Sequence, residues 1–261
     1  MPEFSGTVAL VTGGAKGMGA AICDKLAAYG ATVAVTDVDR DGARETSGRI
    51  EAAGGRSEAF PLDVTSYGEA QRVVDNVTGA LGPIGILVNN AGVSSFAPFL
   101  SMSEAEFDRV IAINVKGVFN LCKAVLPGMV ERRSGRVINM ASILGKLGEP
   151  NFAHYSSSKF AVVGFTQSLA SEMARYDITV NCVCPGIVET PMWTDLYRDA
   201  LAGSDAWSTE DEIRAWVLER IPLHRTQEPE DVAEMVAFLA SDLGRNMTGG
   251  SYHVDGGIVP R

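Results

Sequence analysis

The sequence predicts a single α/β domain, a doubly wound parallel sheet with helices on both faces. Three observations point there. Apolar runs of strand length alternate with stretches of 3.6-residue periodicity, joined by short turns. The first apolar run ends in a glycine-rich turn, TGGAKGMG at 12–19, of the kind that leads a strand into a helix. No linker, repeat or low-complexity segment divides the 261 residues, a length at which α/β sheets often form one domain.

Seven strands are expected, at Val8–Val11, Thr32–Thr36, Ser57–Leu62, Ile84–Asn89, Arg136–Met140, Thr179–Cys184 and Ser251–Val254. Amphipathic helices lie between them, such as the one carrying Val232, Met235, Val236 and Leu239. Gly30 follows the first helix and Gly54-Gly55 the second, where left-handed C-caps belong. Thr190 to His224 breaks the rhythm. It holds all three tryptophans (Trp193, Trp207, Trp216) and a Gly-Ser-Asp turn. An insertion of that length, at about 190–224, reads as a substrate lid or binding loop, with a helical hairpin filling out the core as the alternative.

A net charge of −10 argues against sequence-independent binding to nucleic acid or anionic membranes. The first residues lack a charged-then-apolar signal layout, and no apolar stretch approaches the roughly 20 residues of a bilayer span. Cys23, Cys122, Cys182 and Cys184 show neither CxxC nor metal-ligand spacing. They read as reduced core thiols, as expected in the cytoplasm.

In the glycine turn, Gly13, Gly17 and Gly19 give backbone N–H groups room to approach a pyrophosphate, with the positive end of a helix dipole behind. Lys16 and Met18 lie inside it. The spacing is not GxGxxG, and Ala20 stands where a triphosphate loop would place lysine. The second strand runs into Asp37, eighteen residues past Gly19. An acid there can accept both ribose hydroxyls of adenosine and would repel a 2′-phosphate. Like charges about 4 Å apart repel by about 4 kcal/mol at an effective dielectric of 20. NAD is therefore expected over NADP, although Lys16 could greet that phosphate. The plainer alternative is that Asp37 caps the next helix.

Tyr155 and Lys159 stand one helical turn apart and share a face. A neighbouring ammonium, together with the positive nicotinamide ring of an oxidised cofactor, favours a phenolate, so the two are expected to lower the Tyr155 pKa toward a useful range. Ser142, just past the fifth strand, is placed to hydrogen-bond a substrate oxygen. Asn114, in INVKG, is a polar residue in an apolar stretch, suited to holding water and linking Lys159 to solvent.

Together these residues resemble the short-chain dehydrogenase/reductase family over nearly the whole chain. Asn114, Ser142, Tyr155 and Lys159 match its catalytic tetrad. LDV at 62–64 matches the segment where an Asp contacts adenine, implying Asp63 and Val64. NNAG at 89–92 is similar to its fourth-strand motif, implying Asn90, Ala91 and Gly92 beside the cofactor. PGIVETPM at 185–192 resembles the segment holding the nicotinamide carboxamide, implying Pro185, Gly186, Val188 and Thr190. MTGGSYHVDGG resembles the last strand.

The resemblance implies a Rossmann-like seven-stranded parallel sheet and hydride transfer to or from a secondary carbinol carbon. Tyr155 would exchange the hydroxyl proton and Lys159 would also bind the nicotinamide ribose. No metal is implied. Within the family, YSSSKFAVVGFTQ and PGIVETPMW look most like acetoin/2,3-butanediol and polyol dehydrogenases. Ile143 stands where those diol enzymes lead one to expect Gln, and Glu149 where Asn is expected. With Leu144, Ile143 indicates a more apolar substrate pocket. Trp193 is either a wall of it or plain packing, and Glu149 is either a substrate contact or a solvated rim charge. A 3-oxoacyl thioester reductase using NADPH, and a steroid, cyclic or aryl secondary alcohol dehydrogenase, are the alternatives. On the tyrosine helix, Ser157, Ala161, Gly164, Ser168 and Ser171 form a stripe of small residues off the Tyr155/Lys159 face. The stripe reads as a contact in a homotetramer or as intrachain packing.

Overall fold

A computed structural model describes residues 2–203 and 208–259. Seven strands form one sheet: β1 (Val8–Thr12), β2 (Thr32–Asp37), β3 (Arg56–Pro61), β4 (Ile84–Asn89), β5 (Gly135–Met140), β6 (Ile178–Pro185) and β7 (Ser251–Val254). Their order is β3-β2-β1-β4-β5-β6-β7. Every pairing is parallel. Each expected strand is present, with ends moved by no more than one residue.

Parallel neighbours need crossovers, and helices provide them on both faces. Strand alternation sorts the side chains between two cores. Val8 and Leu10 of β1 face one layer, α3 (Tyr67–Leu81), α5 (Gly117–Arg132) and α6 (Ala153–Met173). Ala9 and Val11 face the other, α1 (Gly17–Ala28), α2 (Arg40–Ala52) and α9 (Pro229–Ala240). The chain moves outward from β1 to β3 and then returns to β4. A switch point therefore opens beyond the C-terminal ends of β1 and β4, where ligands of open α/β sheets bind. Gly30 and Gly54 take left-handed backbone (φ 94° and 87°) after α1 and α2, as their positions require.

Two segments gain detail. α4 (Glu104–Ile111), a π turn at Ala112–Lys116 and α5 run on as one helix, Glu104–Arg132, with an 18-residue window of mean hydropathy 1.4. By length and composition alone it is long and apolar enough to cross a membrane, although Asn114, Lys116, Asn120 and Lys123 interrupt its apolar run. Half of that window is buried, and Val118, Leu121, Val125 and Met129 pack into the first core. The 190–224 insertion forms two helices, α7 (Pro191–Gly203) and α8 (Glu210–Arg220). They close on a third small core of Ala200, Ile213, Val217 and Ile221. Trp207 and the Ser-Asp of the expected turn lie outside the described residues.

Candidate active site

The glycine turn leaves no slack. Gly13 and Gly17 have φ of 67° and 57°. A Cβ on Gly19 would stand 1.9 Å from the Gly13 carbonyl oxygen, and one on Gly13 2.9 Å from the Ala91 Cα. Asn90 braces the turn from β4, its Nδ2 donating to the Thr12 and Gly13 carbonyls at 3.0 Å each. Thr12 Oγ1, which sequence reasoning missed, accepts from the Asn90 and Ala91 N–H groups, both at 3.0 Å.

At the mouth of the turn, α1 begins at Lys16 with no side-chain cap, whereas Asp39, Ser66, Ser103 and Thr209 cap α2, α3, α4 and α8. Its first amides are left for an anion, and Lys16 is exposed beside them. Asp37 Oδ2 accepts from Ala15 N–H at 3.0 Å and Oδ1 from Asp39 N–H at 2.9 Å, fixing the carboxylate against the turn. The helix-capping alternative falls to Asp39 instead. Exposed Asp63 accepts from the Thr65 N–H and hydroxyl at 2.9 and 2.8 Å. Val64 is buried beneath Gly117. An uncapped helix start, a turn without room for Cβ atoms and an acid at the end of β2 fit a dinucleotide.

The segment after β6 meets the same turn. Thr190 Oγ1 donates to the Val188 carbonyl at 3.3 Å, and its methyl would lie 3.4 Å from a Cβ on Gly17. Val188 is buried and bridges to Gln227. Pro185 ends β6. Gly186 packs so closely on the last strand that a Cβ would come 2.8 Å from the Asp255 Cα, so close approach explains this glycine.

Across the crevice, Ser142, two residues past the end of β5, opens a 3₁₀ turn at Ile143–Gly145 and accepts from Leu144 N–H at 3.1 Å. Tyr155 projects from the first turn of α6 and hydrogen-bonds Ser142. Lys159, one turn on, is buried (5% exposed), donates to the Met140 carbonyl at 2.8 Å and sits 5.5 Å from the Tyr155 ring centre. The expected face-sharing of Tyr155 and Lys159 is present. Within the chain itself, burial pushes the Tyr155 phenol up to about 12 despite the Ser142 hydrogen bond and pulls Lys159 down to about 8, because desolvation disfavours each charged form.

The Asn114 side-chain amide is engaged within the chain. In the π turn its Oδ1 accepts from Val93 N–H at 2.8 Å. Its Nδ2 donates to the Val93 carbonyl at 2.9 Å and to Ser158 Oγ at 3.0 Å. Ser158 donates in turn to the Tyr155 carbonyl at 2.7 Å. Asn114 thus ties the loop after β4 to the tyrosine helix. Gly92 lies against it, with Asn114 Oδ1 and Lys159 Nζ 3.3 and 3.6 Å from where its Cβ would be.

A cavity of about 400 Å³ opens in front of Ser142 and Tyr155. Met18 and Thr190 lie on its cofactor side, and Ile143, Leu144 and Trp193 in its wall, as the sequence indicated. Sequence reasoning missed Phe96, Leu147 and Phe152, which carry no signal beyond being apolar in loops. It also missed Arg220. Glu149 is a partly exposed charge at the cavity with a partner in the chain. Its carboxylate accepts from both terminal nitrogens of Arg220, at 3.1 and 3.4 Å. Arg220 also lies 4.3 Å over the Trp216 ring. The pair joins the loop before α6 to the end of α8 across the cavity.

Residues 7–201 match the family model described as short chain dehydrogenase. The chain is similar to the 3-oxoacyl-[acyl-carrier-protein] reductase of Thermotoga maritima, 37% identical over 98% of this chain and 99% of that protein. It is also similar to oxidoreductase UcpA of Salmonella typhimurium, 38% identical over 98% of this chain and 96% of that protein. A Sinorhizobium meliloti 1021 crystal structure, solved as a candidate short-chain alcohol dehydrogenase, superposes with a TM-score of 0.89 at 33% identity, covering 98% and 97% of the two chains. The chain belongs to the short-chain dehydrogenase/reductase family, NAD(P)-dependent oxidoreductases that act on CH–OH groups.

Proposed function

We propose that this protein interconverts an uncharged secondary alcohol and its ketone with NAD, and that Tyr155 moves the hydroxyl proton. The observation that carries this reading is the Tyr155–Ser142 pair on the floor of an apolar cavity that shares Met18 and Thr190 with the glycine turn. The dinucleotide, when bound, supplies or accepts the hydride. Ser142 orients the substrate oxygen by a hydrogen bond, and Tyr155 exchanges a proton with that oxygen. Lys159 places positive charge one turn away and is in reach of a ribose. Asn114 and Ser158 hold the first turn of α6 in place. Asp37, pinned to the turn by Ala15, accepts ribose hydroxyls and disfavours a 2′-phosphate.

The size and apolar lining of the cavity support a cyclic or aryl carbinol over a small diol, and the Glu149–Arg220 pair leaves the arginine's charge neutralised. A second reading, reduction of a 3-oxoacyl thioester, is favoured by the names of relatives 37–39% identical to this chain. One screen tests both: vicinal diols, polyols, cyclic and aryl carbinols and β-hydroxy thioesters, each with NAD and with NADP. Fastest turnover of an uncharged carbinol with NAD supports the first reading. Fastest turnover of thioesters replaces it with the second, and a clear NADP preference overturns the role given to Asp37.

We also place a subunit contact on α6, in a homotetramer. Ser157, Ala161, Gly164, Ser168 and Ser171 are all exposed, and a Cβ on Gly164 would meet nothing within 4 Å. Sedimentation as a monomer at micromolar concentration would remove that contact. A reducing cytoplasm suits the four buried free thiols.

A further inference from the structure

Among the described residues, the chemistry above leaves a buried imidazole unused: His154, the residue before Tyr155. It is fully buried, and its Nε2 lies 2.9 Å from Ser95 Oγ. Ser95 also hydrogen-bonds the Glu106 carboxylate. Arg109 grips that carboxylate through Nε and Nη2 at 3.0 and 2.9 Å, and the Glu106 carboxyl is held down at about 2, chiefly by this guanidinium. An ionised carboxylate only accepts, so the single Ser95 proton goes to Glu106 and His154 must donate from Nε2. The neutral Nε2–H tautomer follows. A protonated ring would add an N–H at Nδ1, which is buried and has no partner among the described residues.

The chain Arg109–Glu106–Ser95–His154 runs from α4 to the start of α6 through residues 93–97, a segment without regular secondary structure. That segment carries Ser94 and Phe96 into the cavity. Two further ties join it to the same place. Ala97 N–H donates to the Asn151 carbonyl at 3.0 Å, and Phe96 packs edge-on to Phe152 with ring centres 5.9 Å apart. The neighbouring Val93 is held at both backbone groups by Asn114.

We propose that His154 is a positioning residue: its Nε2–H braces residues 93–97 against the first turn of α6 and sets the spacing between the Phe96 wall and Tyr155. The inference rests on the reading that this cavity takes the carbonyl substrate. His154→Phe removes the donor. His154→Gln restores an N–H at nearly the same reach, and Ser95→Ala breaks the chain from its other side should His154→Phe not fold.

Two readouts are compared, amide hydrogen exchange at residues 93–97 and steady-state kinetics with the best carbonyl substrate. The phenylalanine variant is expected to exchange several-fold faster there. Its KM is expected to rise about tenfold, the loss of roughly one buried hydrogen bond, while the dinucleotide Kd stays within about twofold. Glutamine should recover most of both. Unchanged exchange at 93–97 overturns the brace whatever the activity. Faster exchange with an unchanged KM, or an equal loss of dinucleotide affinity, overturns the positioning role. If the wild-type protein turns over no carbonyl, the functional reading fails and the exchange arm alone decides the brace.

Discussion

At the β1–α1 turn the binding features are backbone: left-handed glycines, uncapped amides and carbonyls held by Asn90. Beyond Tyr155 they are side chains contributed by four separate stretches, the loop after β4, the loop after β5, α7 and α8. A backbone site has few permitted sequences, because a Cβ at Gly13, Gly14 or Gly19 collides, whereas an apolar wall accepts many residues of similar volume. The first kind of site is therefore written in a contiguous motif. The second is dispersed, and only folding brings Phe96, Ile143, Trp193 and Arg220 together. The same contrast says where the protein is brittle and where it is adjustable.

The largest expected effect is at the brittle end. Gly19→Val would drive a side chain into the Gly13 carbonyl. It should abolish dinucleotide binding in a fluorescence titration and destabilise the fold by about 3 kcal/mol. Near-normal affinity for NADH would show that the turn has slack. Next is Asp37→Ser, which removes the acid while keeping a small acceptor near Ala15. The ratio of NADPH to NADH affinity should rise by up to roughly a hundredfold. An unchanged ratio would move cofactor choice to Lys16.

Lys159 connects the two regions, and its burial gives a pH signature. Its pKa is lowered on folding to about 8 from the ordinary 10.5, so the unfolded chain binds more protons between those values. Wild-type stability should therefore climb with pH across that window, by at most roughly 3 kcal/mol. Tyr155, raised from 10.0 to about 12, acts oppositely, because the unfolded chain loses that proton first. Stability should fall from pH 10 to 12. Lys159→Met should erase the rise and keep the fall, as read by denaturant midpoints across pH. Persistence of the rise in this variant would show that another group causes it.

The smallest effect belongs to the adjustable end. The Glu149–Arg220 pair is partly exposed, with side chains 25% and 44% accessible, so Glu149→Gln should change stability by about 1 kcal/mol or less. It should nonetheless change the relative rates of neutral and anionic substrates by several-fold in favour of anions, since Arg220 is then uncompensated. Parallel assays of a neutral ketone and its carboxylated analogue check this. An identical rate ratio in wild type and variant would reduce the pair to a structural tie.

The five central strands, β1, β2, β4, β5 and β6, were legible because each is a largely apolar run buried on both faces, whereas β3 and β7 at the edges are polar and partly exposed. Tyr155 and Lys159 were legible because they stand one turn apart on one helix, and Ser142 because it follows β5 closely, while the tetrad as a set came from the family resemblance. Three things were not legible. The partners of the Asn114 amide, Val93 and Ser158, lie 21 and 44 residues away and leave no local signal. Arg220, the partner of Glu149, is 71 residues away. The desolvation that raises the Tyr155 phenol is a property of the folded chain.

The central claim is that Tyr155 carries the proton while the glycine turn independently holds the dinucleotide. The most direct measurement is kcat and dinucleotide Kd for Tyr155→Phe beside wild type, with the best substrate from the carbinol screen. The account predicts kcat lowered at least a hundredfold, the lower range of general acid–base contributions, with Kd within about twofold. A Tyr155→Phe variant that keeps the wild-type kcat, or that loses turnover only because it no longer binds NADH, would contradict it.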